Sequence, residues 1–85
     1  MPYDIEYEFT IPIIIIEEIL ENYLGYNLEE TIQKDPVVFR RILLDYLINK
    51  YPNIFENIDE EKYNNILSTL KYRKNRKYLY IYVTI

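Results

Sequence analysis

PVVFRRILLDYLINKY, residues 36–51, is the stretch that decides the fold. Ten of the fifteen residues after the proline are apolar or aromatic, and at helical spacing they form two neighbouring stripes. The first stripe contains Val38, Phe39, Ile42, Leu43, Tyr46 and Leu47, and the second contains Val37, Leu44, Ile48 and Tyr51. The pattern predicts a central helix that is buried from two sides. The residues expected to face solvent are Arg40, Arg41, Asp45, Asn49 and Lys50.

The limits of this helix are signalled by its flanking residues. Asp35 is a suitable N-cap, because its carboxylate can accept free backbone N–H groups, and Pro36 fits the first helical turn. Pro52 ends the helix, because proline cannot continue the hydrogen-bonding pattern.

The rest of the chain divides into two strands and three further helices. Strict alternation predicts strands over about 3–11 and 78–85, and the first has an acidic outer face. Helical spacing predicts helices over about 13–24, 28–34 and 59–71, with Gly25 as a C-cap and Asn27 and Asp59 as N-caps. We therefore expect one α+β domain over 1–85, in which the terminal strands pair beneath three main helices and the short helix 28–34.

The 85 residues include no cysteine and no histidine, which excludes thiol nucleophiles, imidazole bases, zinc fingers and disulfides. Acidic clusters at Glu29, Glu30 and Asp35 and at 59–61 stand at helix starts, where acids favour the helix dipole. We expect no enzyme activity, no cofactor and no metal site. The apolar run 13–16 is too short for a membrane span, so we expect a cytoplasmic protein.

Charge is distributed unevenly around the net value of −4. Residues 1–30 contain eight acids and no Lys or Arg, whereas 71–85 contain five cations and no acid. The cations Lys71, Arg73, Lys74, Arg76 and Lys77 are placed for phosphate contact, and we predict that they bind nucleic acid. Alternatively, they complement a helix C-terminus and protect a strand edge from aggregation.

The outer sides of the two predicted strands indicate a second kind of surface. If the strands pair, Glu6 and Glu8 lie beside Tyr78, Tyr80 and Tyr82. Tyrosine is favoured at protein interfaces, and carboxylates repel phosphates, so this face is the alternative site for a protein partner of an inhibitor or regulator. Its tyrosines are also simply good strand formers.

Four consecutive isoleucines cannot all lie on one helical stripe. We therefore expect a homodimer that packs Ile13, Ile14 and Ile15 against a second copy or that extends the two-stranded sheet.

Residues 5–51 resemble the ribbon-helix-helix DNA-binding regulators in the strand IEYEFTIP, the helix end LENYLGYN and the later amphipathic helix. The resemblance implies that outward strand residues enter the major groove, but the residues at those positions are Glu6, Glu8 and Thr10, two of which are acidic. A winged-helix arrangement would pair the central helix with 59–71 and use Lys71 to Lys77 as a basic wing, although the second helix begins with three acids. The Ile-, Tyr-, Asn- and Lys-rich composition resembles small proteins of thermophilic archaea and of their viruses and plasmids.

Overall fold

The computed structural model describes residues 5–25 and 27–85. Its elements in chain order are β1 (Glu6–Pro12), α1 (Ile13–Leu24), α2 (Leu28–Lys34), α3 (Pro36–Lys50), α4 (Glu60–Thr69), β2 (Lys71–Lys74) and β3 (Tyr78–Thr84). The predicted α+β fold is confirmed. Tyr3 and Asp4, at the start of the predicted first strand, lie outside the described residues.

The three strands form one antiparallel sheet in the order β1-β3-β2. The predicted pairing of the terminal strands is confirmed, because Glu8 stands opposite Tyr82 and Thr10 opposite Tyr80. Side chains alternate between the two faces, as a pleated strand requires. One face is buried beneath the helices and carries Phe9, Ile11, Leu79, Ile81 and Val83.

The central helix α3 is buried on one face only. Its buried residues are Phe39, Leu43, Leu44 and Leu47, which confirms the middle of the predicted core. Val37 is 62% exposed and Val38 also faces solvent, so the expected burial from two sides is wrong for the first helical turn. The reason is the layer arrangement: the helices cover a single sheet face, and the side of α3 away from the sheet meets water or the groove beside α1.

Three of the four predicted caps are confirmed. Gly25 adopts the left-handed conformation with φ 72°, and its N–H donates to the carbonyls of Leu20 and Glu21. The side chain of Asn27 accepts from the N–H of Glu30, and that of Asp59 from the N–H of Lys62.

Asp35 does not cap α3 with its side chain, which corrects the prediction. Asp35 is also the C-cap of the preceding helix α2, since its N–H donates to the carbonyl of Thr31 at 2.9 Å. Its backbone, at φ −134° and ψ 63°, is therefore fixed by the end of α2 and departs from the extended conformation of a usual N-cap.

The last predicted helix is shorter than expected, because α4 ends at Thr69 and Leu70 is extended. Arg40 of α3 contributes to this ending. Its Nη2 donates to the carbonyl of Leu67 at 3.0 Å and to the carbonyl of Leu70, so the guanidinium satisfies two carbonyl groups at the helix C-terminus. Arg40 is thus a partly buried capping residue, and its assignment to solvent was wrong.

We expect Leu47→Ala to lower the free energy of unfolding by about 2–5 kcal/mol, because Leu47 is fully buried and a cavity would remain in a small core. Val37→Ala removes an apolar side chain from the same helix at an exposed position, and should change stability by less than about 0.5 kcal/mol. Urea unfolding measures both. Similar losses for the two variants would contradict the one-sided burial of α3.

A second prediction concerns pH. The Tyr63 hydroxyl of α4 donates to Asp45 Oδ1 of α3 at 2.8 Å, and partial burial together with this bond raises the pKa of Tyr63 to about 12. A tyrosine in the unfolded chain ionises at about pH 10. Tyr63 therefore contributes fully to the free energy of unfolding below that pH, and this contribution is lost as the pH rises toward about 12. Solvent screening limits this contribution to at most about 1 kcal/mol.

We therefore expect the stability difference between the native protein and Tyr63→Phe to shrink between pH 9 and pH 11.5 in urea unfolding. The comparison cancels the titration of the other tyrosines, which both proteins share. A difference that stays constant over this range would refute the raised pKa.

Candidate nucleic-acid interface

A β-hairpin carries the basic segment 71–77. Asn75 builds its turn: the N–H of Asn75 donates to the carbonyl of Tyr78 at 3.0 Å, and Asn75 Oδ1 accepts from the N–H groups of Lys77 and Tyr78, both at 2.8 Å. Asparagine suits such a turn because its side chain can hydrogen-bond the backbone a few residues on. The segment is therefore a strand and a turn, where the sequence indicated a helix end or turn.

The strand register determines which side chains share a surface. Lys71 stands opposite Tyr82, and Arg73 stands opposite Tyr80. On the other side of β3, the same two tyrosines stand opposite Glu8 and Thr10. We call the sheet surface that faces away from the helices the outer face; it carries Glu6, Glu8, Thr10, Pro12, Tyr78, Tyr80, Tyr82, Thr84, Lys71 and Arg73.

Arg73 connects β2 to two tyrosines of β3. Its Nε donates to the Tyr82 hydroxyl at 3.0 Å, and its guanidinium carbon lies 5.0 Å from the centre of the Tyr80 ring. The hydrogen bond to Tyr82 is the main cause of a raised pKa for Arg73. Tyr80 is held from the same side, because Asn75 Nδ2 donates to its hydroxyl at 3.2 Å. Two tyrosine rings and one cation are thus positioned together before any ligand binds.

The five predicted cations are all exposed, but they do not share one surface. Lys71 and Arg73 lie on the outer face, beside the tyrosines. Lys74 pairs with Leu79, whose side chain points toward the core, so it belongs to the opposite face at the hairpin end. Arg76 and Lys77 lie in the turn itself. The cluster is therefore divided between the outer face and the hairpin tip.

The outer face changes in charge from one edge to the other. The edge strand β1 contributes Glu6 and Glu8, and the other edge strand β2 contributes Lys71 and Arg73. Between them runs β3 with its three tyrosines, of which Tyr78 is 40% exposed and lies 6.5 Å from Tyr80 between ring centres. Two of the predicted basic residues, Lys71 and Arg73, consequently share one surface with the predicted tyrosine-rich acidic site.

The sequence interpretation missed strand β2, although a signal was present. Leu70 and Tyr72 alternate with Lys71 and Arg73, and alternation is the period of a strand. Leu70 is buried, and the Tyr72 ring meets the Phe39 ring edge to face at 5.0 Å between centres. These inward contacts turn Lys71 and Arg73 toward the outer face.

The predicted dimer residues lie at the start of α1. Ile13 and Ile15 are partly buried against the core, whereas Ile14 is 74% exposed. The four isoleucines are thus shared between the core and the surface, and Ile14 is the one directed to solvent.

Within residues 5–25 and 27–85, no group of three or more acidic side chains is arranged to hold a metal ion. No helix in the same part of the chain is long and apolar enough to cross a membrane. Comparison with protein-family models, curated proteins and solved structures found no match to this chain.

The contact between Arg73 and Tyr82 can be tested directly. Tyr82→Phe removes the acceptor and leaves the ring, so the Arg73 Nε proton should exchange with water faster in NMR spectra. Because the bond is exposed, we expect the stability to change little. An exchange rate equal to that of the native protein would show that Arg73 is not held by Tyr82.

Proposed function

We propose that this protein binds single-stranded nucleic acid on its outer face, without catalysing a reaction. The observation that carries the proposal is the position of Lys71 and Arg73 on the same surface as Tyr78, Tyr80 and Tyr82. Exposed aromatic rings with neighbouring cations are the two components that single-strand binding requires: rings stack on bases, and cations contact phosphates.

The tyrosines supply a sequence-tolerant platform. Every base has a flat face that can stack on an aromatic ring, and such stacking contributes about 1–3 kcal/mol per base. Tyr80 and Tyr82 are held by Asn75 and Arg73, so less freedom is lost when a base packs on them. Tyr78 extends the platform toward the hairpin turn.

The charges of the outer face favour one path for the phosphates. Glu6 and Glu8 repel phosphates from the β1 side, while Lys71 and Arg73 attract them to the β2 side. A strand running along β3, with its backbone over β2, meets Lys71 and Arg73 and ends at the hairpin turn, which carries Arg76 and Lys77.

A single strand suits this surface better than a duplex. Paired and stacked bases cannot present their faces to tyrosines, so a duplex would use only the cations. The winged-helix alternative would direct the start of α4 toward the duplex, and that start carries Asp59 and the exposed Glu60 and Glu61. Three carboxylates at the nearest approach of phosphates oppose this geometry.

A protein partner on the outer face is the second candidate function, and the observation that favours it is the exposed pair Glu6 and Glu8. A regulator that docks there would use the tyrosines for contact area and the carboxylates against a basic partner. A homodimer through Ile14, one of the two arrangements that the sequence predicted, would be compatible with either function, because Ile14 lies on α1 and would leave the outer face free.

Titration of a fluorescent ten-nucleotide single strand at several salt concentrations tests the proposal. We expect binding in the micromolar range that weakens with salt. Replacing both Lys71 and Arg73 by alanine should reduce the slope of log affinity against log salt by about 1–2, since each lost phosphate contact removes about 0.7. Tyr80→Leu should weaken binding by about 1–3 kcal/mol and leave the slope unchanged.

Two matched variants serve as controls. Lys62→Ala removes an exposed cation of α4, and Tyr23→Leu removes a tyrosine that is 78% exposed on α1. Neither should change the affinity. Tighter binding to a duplex of the same sequence, or no salt-sensitive binding to single strands, would refute the proposed function.

A further inference from the structure

The outer face is complementary in charge to itself. Its second row contains Glu8, Tyr82 and Lys71, so a carboxylate and an ammonium group stand on opposite sides of one tyrosine. Its third row places Thr10, Tyr80 and Arg73 in the same order. Both charged edges and the tyrosines between them are exposed or only partly covered.

Two copies can meet face to face about a two-fold axis in either of two principal directions. If the axis lies parallel to the sheet plane and perpendicular to the strands, β1 of one copy lies over β1 of the other. The carboxylates of the two copies then face each other. An axis parallel to β3 exchanges the edges and keeps the rows, so Glu8 meets Lys71 of the other copy and Thr10 meets Arg73. Opposite charges attract across an interface and like charges repel, so the face selects the second axis.

We propose that two copies of this chain associate through their outer faces about a two-fold axis parallel to β3. Tyr78, Tyr80 and Tyr82 then form the centre of the interface, and two symmetric Glu8–Lys71 pairs lie at its sides. Such an interface is isologous, as in the commonest class of homodimers. A crossing angle near −30°, typical of stacked sheets, requires the axis to deviate from β3 by only about 15°.

The size of the face sets the strength of this association. Two strands of seven residues and one of four, about 4.8 Å apart, cover at most a plane of about 14 by 24 Å. This area is below the roughly 800 Å² per partner of a standard interface, so we expect a weak dimer that dissociates on dilution and with added salt.

The sheet edges offer a poorer dimer. Pairing β1 with its own copy over its full length would bring no opposite charges together, because Glu8 would stand opposite Thr10 and Glu6 opposite Pro12, and pairing β2 with its copy would set Lys71 opposite Arg73. Like charges directly opposite across paired strands are destabilising. The face-to-face dimer avoids both arrangements.

Association through the outer face would also regulate nucleic-acid binding, and this part of the inference rests on the proposed function. The dimer covers the tyrosines and occupies Lys71, so a copy cannot hold its partner and a single strand together. Single strands would then bind the monomer and shift the equilibrium away from the dimer.

Reversing the charges at positions 8 and 71 tests the proposed dimer geometry. Sedimentation equilibrium at low salt, from about 10 µM to about 1 mM protein, measures the dimer dissociation constant. We expect E8K and K71E each to weaken the dimer at least about tenfold, because each replaces two attractive pairs by two repulsive ones. The double variant E8K/K71E restores opposite charges across the axis and should recover the native dimer. Recovery by the double variant distinguishes direct pairing from a general effect of net charge.

The matched controls are K62E and I14D, which change exposed positions outside the outer face and should leave the dimer intact. A native protein that is monomeric up to 1 mM, or a double variant that stays monomeric while retaining its thermal unfolding transition, would overturn the inference. Loss of the dimer in I14D with no effect of either single charge change would assign the interface to α1 instead, and overturn it as well.

The same variants separate this inference from the proposed function. Addition of the ten-nucleotide strand to the native dimer should return the mass to one chain per complex. A dimer that follows the charge exchanges but binds no oligonucleotide refutes the proposed function and keeps the interface. If the protein binds the oligonucleotide but never dimerises, the proposed function is kept and the proposed interface is refuted.

Discussion

The pairing of β3 with both edge strands is the constraint on which the rest of the structure depends. β3 is the central strand, and β1 and β2 each form their backbone hydrogen bonds with it on opposite sides. Its inward residues Leu79, Ile81 and Val83 are fully buried under the helices. Because alternate side chains of a strand must point to opposite faces, burial of these three residues places the tyrosines between them on the outer face. The candidate interface is thus a direct consequence of how the core is filled.

The elements with strong periodicity were predictable, and the exceptions have local physical causes. The pattern of α3 identified its buried residues but could not show that the helices form a single layer, which leaves Val37 in solvent. The capping role of Arg40 depends on the carbonyls of residues 67 and 70, far away in the sequence. Strand β2 is only four residues long, and its two outward cations obscured the inward Tyr72. In each case a tertiary contact overrides the local signal.

The members of the candidate site were also visible in the sequence, but their arrangement was not. Composition indicated a basic segment and a tyrosine-rich acidic face as competing surfaces. Whether Lys71 and Arg73 share a surface with the tyrosines depends on the register of β2 against β3. The turn at Asn75 sets this register, in which Lys71 stands opposite Tyr82. A shift of one residue would turn Lys71 and Arg73 to the inner face, because the side-chain period of a strand is two. Register is a property of the hairpin that charge and composition do not encode.

Under the proposed function, the carboxylates of β1 would restrict where a phosphate backbone can lie on the outer face. A chain with net charge −4 repels polyanions at long range, so binding of a nucleic acid must come from the local cations of the hairpin. Glu8 further restricts the positions open to a phosphate, because it stands across Tyr82 from Lys71 and repels any phosphate that crosses the sheet. A surface selected only for nucleic-acid affinity would carry a neutral or basic residue there. Glu8 would instead contribute a favourable electrostatic interaction if the approaching surface carried a cation opposite it. In the proposed face-to-face dimer, Lys71 of the second copy lies at that position.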